Sequence, residues 1–113
     1  MTASAPDATP VRRGAIWWVN LDPAQGSEIR KTRPAIVVTA NALNRARVVV
    51  VPPSTGPATM PAHHCLYPFG RALVAVCDQV RAVDKRRLTK SEGQLSAVDL
   101  RSIEDSLRRV LEL

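Results

Sequence analysis

At 113 residues, 45% of them hydrophobic and 23% charged, the chain has the length and composition of one soluble domain with one core. No apolar run approaches the ~20 residues a membrane span needs. The N-terminal MTASAPDATP lacks the basic head and apolar stretch of a secretory signal, so a cytoplasmic protein is expected. A net charge of +6 suits a polyanion, an acidic protein or an anionic surface as partner.

Residues 1–11, rich in Ala, Ser, Thr and Pro, read as a disordered tail, and residues 12–113 as the folded domain. Arg12, Arg13 and Gly14 lead into a first predicted strand, Ala15 to Asn20 (AIWWVN). Trp17 and Trp18 are adjacent and so point to opposite faces, one into the core and one to the outer face or an interface. Leu21 to Pro23 closes this strand with turn chemistry. Gly26 to Pro34 (GSEIRKTRP) then packs a glycine, a small hydroxyl, a carboxylate and three cations into a loop. A polar loop held between two buried strands is where sites are built.

Ala35 to Thr39 (AIVVT) predicts the second strand, and 40–46 a polar connection. Arg47 to Val51 (RVVVV) predicts a strand buried on both faces, with Pro52 and Pro53 stopping its ladder. Ser54 and Thr55 follow at its exit, and 56–61 reads as loop. His63 to Tyr67 and Arg71 to Cys77 predict a strand pair. Asp78 to Val83 alternates as a half-exposed strand does, Asp84 to Lys90 predicts one helical turn, and Gly93 to Leu95 a last short strand.

The final segment predicts a helix. Ser96 and Asp99 resemble a capping box, with Asp in the usual Glu or Gln position. Leu100, Ile103, Leu107, Val110 and Leu111 fall within an arc of about 100°, a core-facing stripe. Glu104 with Arg108 and Asp105 with Arg109 are spaced for ion pairs on the far side. The fold class expected is mainly β: a small barrel of curved antiparallel strands under a C-terminal helix.

Cys65 and Cys77 lack framework spacing and are expected as buried free thiols. His63, His64 and Cys65 are consecutive in a predicted strand and cannot all face one ion. With no fourth ligand at zinc-type spacing, no metal site is expected there.

The loop residues fit phosphodiester chemistry on RNA. Cleavage requires a deprotonated 2′-hydroxyl, a partner for the charge building on the phosphorane oxygens, and a proton for the departing 5′-oxygen. No metal or other cofactor is needed, because the nucleophile belongs to the substrate. Arg33 supplies a planar cationic donor fork suited to phosphate. Ser54, at the end of a buried strand, supplies a short hydroxyl donor. Glu28 is the carboxylate of the central loop, able to act as base or to orient Arg33. Ser27 and the backbone N–H groups around Gly26 are placed to hold a flanking phosphate. A guanidinium keeps its proton under ordinary conditions, so charge stabilisation is the cheaper role for Arg33.

A broader pattern joins these residues. The stretch GAIWWVNLDPAQGSEIRKTRPAIVV, with GSE followed by RP after four intervening residues, resembles the opening of the MazF/PemK family of toxin endoribonucleases. VVPPST resembles that family's strand ending in Ser or Thr, and DQVRAVDKRRL its Q-V/I-R/K block. The likeness runs from about Arg12 to the C-terminus. It implies an SH3-like barrel with a C-terminal helix, assembled as a homodimer. It also implies metal-independent, sequence-specific cleavage of single-stranded RNA to a 2′,3′-cyclic phosphate and a 5′-hydroxyl, which stops translation and growth. The implied catalytic arginine is Arg33 and the implied hydroxyl Ser54, with Thr55 the neighbouring alternative. Ser27 and Glu28 match the family's loop pair, and Gln79 its RNA-contacting Gln. Lys31 and Arg81 are added as cationic RNA contacts. The partner implied is an acidic MazE-like antitoxin whose flexible tail covers the RNA groove. Two departures stand out: Ala15 where the family often has an acid, and Ser54, after two prolines, where Thr is commoner.

Two other classes compete. A non-catalytic RNA-binding barrel would need an aromatic stacking face, and aromatics are 4% of the chain. A protein-poisoning toxin of the gyrase-inhibitor kind would act through the helix end and remain toxic without Arg33 and Ser54.

Overall fold

The computed structural model describes residues 9–54, 63–66 and 73–113, with 63–66 and Leu73 described by backbone alone. In chain order come β1 (Ala15–Asn20), β2 (Thr32–Val37), β3 (Arg47–Val51), β4 (Pro53–Ser54), β5 (His63–Leu66), β6 (Leu73–Val76), β7 (Arg81–Asp84), β8 (Leu88–Gln94) and α1 (Ala97–Leu111). Short 3-10 turns occupy Asn41–Leu43, Cys77–Gln79 and Lys85–Arg87. All strand pairs are antiparallel, in a five-stranded sheet ordered β7-β3-β2-β1-β8 and a three-stranded sheet ordered β4-β6-β5.

The alternation of the central strands explains why both faces of the larger sheet are apolar. Trp17, Val19, Val37, Val48, Val50 and Val83 fill one face, with Leu21, Ile29 and Leu88 packed among or against them. Ile16, Ile36, Val38 and Val51 fill the other, where Ala75, Cys77, Leu95 and Ile103 cover them. Each such aliphatic side chain taken fully out of water contributes ~1.5–3 kcal/mol. The first face lies inside the curl of the sheet and the second under α1. Among the described residues β7 and β8 do not pair, so the curved sheet is an open barrel rather than a closed one.

Two bulges drive the curl on the β8 side. The β1–β8 register shifts between Ile16 and Trp17 and again between Trp18 and Val19, leaving Glu92 and Thr89 as extra residues. Both are tied to Trp18, whose indole Nε1 donates to Glu92 Oε1 at 2.8 Å and whose carbonyl accepts from Thr89 Oγ1 at 3.2 Å. Bulges bend a strand and raise its twist. Gly14 enters β1 at φ +86°, where a Cβ would stand 2.6 Å from Gln94 Nε2. Its N–H donates to Val37 O and its carbonyl accepts from Leu95 N.

Several boundaries differ from expectation. The second strand begins at Thr32, ahead of the AIVVT stretch, and ends at Val37, within it. Pro34 is accommodated because β3 leaves the sheet beyond Val51, opposite Ile36, so among the described residues this part of β2 has no ladder partner on that edge. Pro52 and Pro53 do not end strand pairing. The chain changes sheets there, and Pro53 and Ser54 pair with Ala75 and Val74 of β6. Asp78 to Val83 is split between the 3-10 turn and β7. The predicted turn shrinks to Lys85–Arg87, capped by Asp84, and the last strand extends from Leu88 to Gln94.

The helix starts where predicted, with the Ser96 side chain accepting from Asp99 N at 3.1 Å. Its ion pairs are different. Glu104 pairs with Arg13 rather than Arg108, and Arg108 pairs with Asp105 at 2.9 Å. Arg13 also donates to Val38 O, and its own N–H donates to Asn41 Oδ1, so one side chain fastens α1 to the sheet. No helix among the described residues is long and apolar enough to cross a membrane.

Candidate active site

The Ile36↔Val51 and Val37↔Val50 register, continued toward the loop, places Arg33 beside Ser54. The structure keeps that neighbourhood after β4 changes sheets. Ile29, Arg30, Lys31, Arg33, Pro53 and Ser54 line one cleft of about 300 Å³. Three cations thus share a cleft with a strand-end serine. Arg33 is half-buried, and its Nε donates to Arg30 O at 3.3 Å. Among the described residues nothing else binds its two terminal nitrogens, which can take a phosphate in bidentate fashion.

Ser27, Glu28, Asp78, Gln79, Val80 and Arg81 line a second cleft of about 330 Å³. The loop from Ser27 to Lys31 is therefore a ridge, with one cleft lined by its first two residues and the other by its last three. Glu28 lines a different cleft from Arg33. Its Oε1 accepts from Gln25 N at 2.6 Å, and Glu28 N donates to Gln25 O at 3.0 Å. No ion pair links it to Arg33 among the described residues, so the orienting role is not seen.

Gln79 is committed to the protein at both ends of its amide. Oε1 accepts from Ile29 N at 2.7 Å, and Nε2 donates to Ser27 O at 3.2 Å. Arg81 Nη1 donates to Leu21 O at 3.4 Å, at the root of the same loop. Lys31 is exposed and left-handed at φ 69°, held by Asp22 Oδ1 on its N–H at 3.1 Å and by Leu21 N on its carbonyl. Arg87, missed in the sequence, donates to Asn20 O and Asp22 O and braces the loop's first turn. Its position in a basic run gave no signal, because the acceptors are backbone carbonyls.

Thr55 and the side chains of His63, His64 and Cys65 lie outside the described residues. Among the described residues no group of three His, Cys, Asp or Glu side chains is placed to hold a metal ion. Cys77 is a free, buried thiol, as expected. Burial pushes it up to about 11, a hydrogen bond with Ser106 partly opposes this, and the charge of Asp78 adds to the rise.

A family model described as PemK-like, MazF-like toxin of type II toxin-antitoxin system matches residues 12–111. The chain belongs to this toxin family. Endoribonuclease MazF9 of Mycobacterium tuberculosis is 35% identical over 121 aligned positions, covering 91% of this chain and 98% of the relative. Endoribonuclease EndoA of Bacillus subtilis is 30% identical, covering 91% and 96%. Among solved structures, MazF of Deinococcus radiodurans superposes with a TM-score of 0.84 at 24% identity, covering 93% and 99%. A mycobacterial endoribonuclease solved with its cognate antitoxin gives 0.75 at 22%, covering 91% and 96%. At these identities the structural likeness shows the shared fold. Ala15, which follows Gly14, is buried against the inner core.

Proposed function

We propose that this chain is a sequence-specific endoribonuclease toxin, acting in the cytoplasm on single-stranded RNA and thereby stopping translation. Residues 12–113 form its catalytic domain, with 1–11 as a tail. The observation that carries this reading is the single cleft shared by Arg33 and Ser54. Membership of the toxin family and likeness to two named endoribonucleases support it.

The chemistry follows from what the cleft offers. The scissile phosphate lies against the Arg33 fork and the Ser54 hydroxyl, with Arg30 and Lys31 adding positive potential. The ribose 2′-oxygen attacks phosphorus and loses its proton, and the P–O5′ bond breaks. The 5′-oxygen takes a proton, leaving a 2′,3′-cyclic phosphate and a 5′-hydroxyl. Arg33 and Ser54 act by holding charge that develops on the phosphorane oxygens, an effect worth about 10²–10³ in rate per donor. Ser27, Thr55, Lys31 and Arg81 serve RNA binding, and Gln79, the RNA contact expected from the family resemblance, serves it through the loop it holds rather than by direct contact. With the nucleophile inside the substrate, the reaction proceeds without a metal ion.

The partner that restrains it is an acidic antitoxin segment lying on the cationic cleft of Arg30, Lys31 and Arg33, as the antitoxin-bound neighbour and the +6 charge support. The test is incubation with a mixed single-stranded RNA pool in EDTA, followed by end-group mapping. Cyclic phosphate and 5′-hydroxyl ends at one short motif support the reading. Binding without cleavage supports the non-catalytic module, and cleavage that returns only with added metal contradicts the mechanism.

A further inference from the structure

We infer that Gln79 is a positioning residue, a latch that holds the β1–β2 loop in place and, through the loop, aims Arg33. The inference rests on the endoribonuclease reading for its catalytic consequence, and on the geometry alone for the latch. A glutamine amide is one of the few side-chain groups that both donates and accepts. Gln79 uses both functions on one short stretch of backbone, accepting from Ile29 N and donating to Ser27 O. A carboxylate would keep the first bond and face the Ser27 carbonyl with a second acceptor. A lysine would lose the first.

The latch is anchored at each end. Gln79 closes the 3-10 turn Cys77–Gln79, whose Cys77 is fully buried and hydrogen-bonded to Ser106 of α1. On the other side, Ile29 packs against the inner core beside its clamped N–H. The next residue, Arg30, presents its carbonyl to Arg33 Nε. A displacement of Ser27 to Ile29 therefore moves the acceptor that orients the guanidinium, and small misplacements of a catalytic group are costly. The path runs from α1 through the turn, the Gln79 amide and the loop to Arg33. It crosses 50 residues of sequence in two hydrogen bonds.

The experiment combines amide hydrogen exchange on the full chain without RNA and steady-state cleavage. In Gln79→Ala the Ile29 amide exchanges at least about tenfold faster, while Val19 and Val48 amides keep their protection. In Gln79→Glu, Ile29 stays within about threefold of the parent. In the Ala variant kcat falls about tenfold or more and KM changes less than about threefold. Unchanged Ile29 exchange in Gln79→Ala overturns the latch. So does a raised KM with kcat intact, which assigns Gln79 to direct RNA contact. If Gln79→Ala loses its core protection, Gln79→Glu decides, and loss of Ile29 protection there overturns the proposal. A parent chain that cleaves no RNA removes the function proposed above and leaves the exchange measurement to judge the latch by itself.

Discussion

Glu28 and Arg33 stand five positions apart, one in the β1–β2 loop and the other in β2, and they line different clefts. The Glu28 carboxylate closes a turn on Gln25 N, a task that a neutral amide oxygen can perform equally well. Glu28→Gln should therefore slow cleavage less than about tenfold in a single-turnover assay. A base that takes the 2′-proton would cost about 10²–10⁴, and a loss of that size would return the role to Glu28. Cys77 makes a separate, pH-based prediction. Its thiol is raised from 9.0 to about 11 in the fold, so the folded state holds a proton that the unfolded state gives up first. The stabilisation is complete below pH 9 and disappears as pH climbs through 11. Two pH units correspond to about 3 kcal/mol at most. Denaturant titrations should show stability falling across this window, with a shallower fall in Cys77→Ala. Equal slopes in the two proteins would refute the assignment.

At the scale of elements, the helix depends on one distant arginine more than on its own charge pairs. Arg13 reaches Glu104, Val38 O and, through its N–H, Asn41. Charge-assisted bonds that are partly shielded contribute about 1.5–3 kcal/mol, whereas an exposed pair such as Asp105–Arg108 contributes ~0–1. Arg13→Ala should lower unfolding free energy by about 2 kcal/mol, and Arg108→Ala by less than about 0.5. The reverse order in urea titrations would contradict this account of how α1 docks.

That contrast marks where the sequence is legible. β1, β3 and the capped start of α1 follow from local pattern: aromatic and Val alternation, and a serine three residues before an acid. The β8 strand (LTKSEGQ) was hidden because it is a half-exposed edge with two bulges, so its period never reaches two for long. The sheet change at Pro52 depends on β6 arriving from 20 residues away, which no local signal encodes. For the site, Arg33 and Ser54 were legible through their chemistry and the family resemblance, and the structure sets both along one cleft. The split of Glu28 from Arg33, and the commitment of Gln79 to backbone partners, depend on how the loop folds across the mouth of the sheet.

For the whole molecule, the fold sets which surfaces remain for assembly. Trp17, 2% exposed, is consumed by the chain's own core, so an interface at this strand has Trp18 to offer and not both. Val98, Leu111 and Leu113 leave apolar surface along and beyond α1, and we propose that a twofold contact covers part of it. Sedimentation at micromolar concentration should give a dimer, and a monomer at that concentration would rule out the contact.

The central claim is that Arg33 and Ser54 act on the same phosphate, and a double-mutant cycle tests it most directly. Single-turnover cleavage would be measured for the parent, Arg33→Ala, Ser54→Ala and the double variant. Groups that serve one transition state lose their effect together, so the double variant should be no more than about threefold slower than Arg33→Ala. Rate losses that multiply in full would show two independent contributions and contradict a shared site.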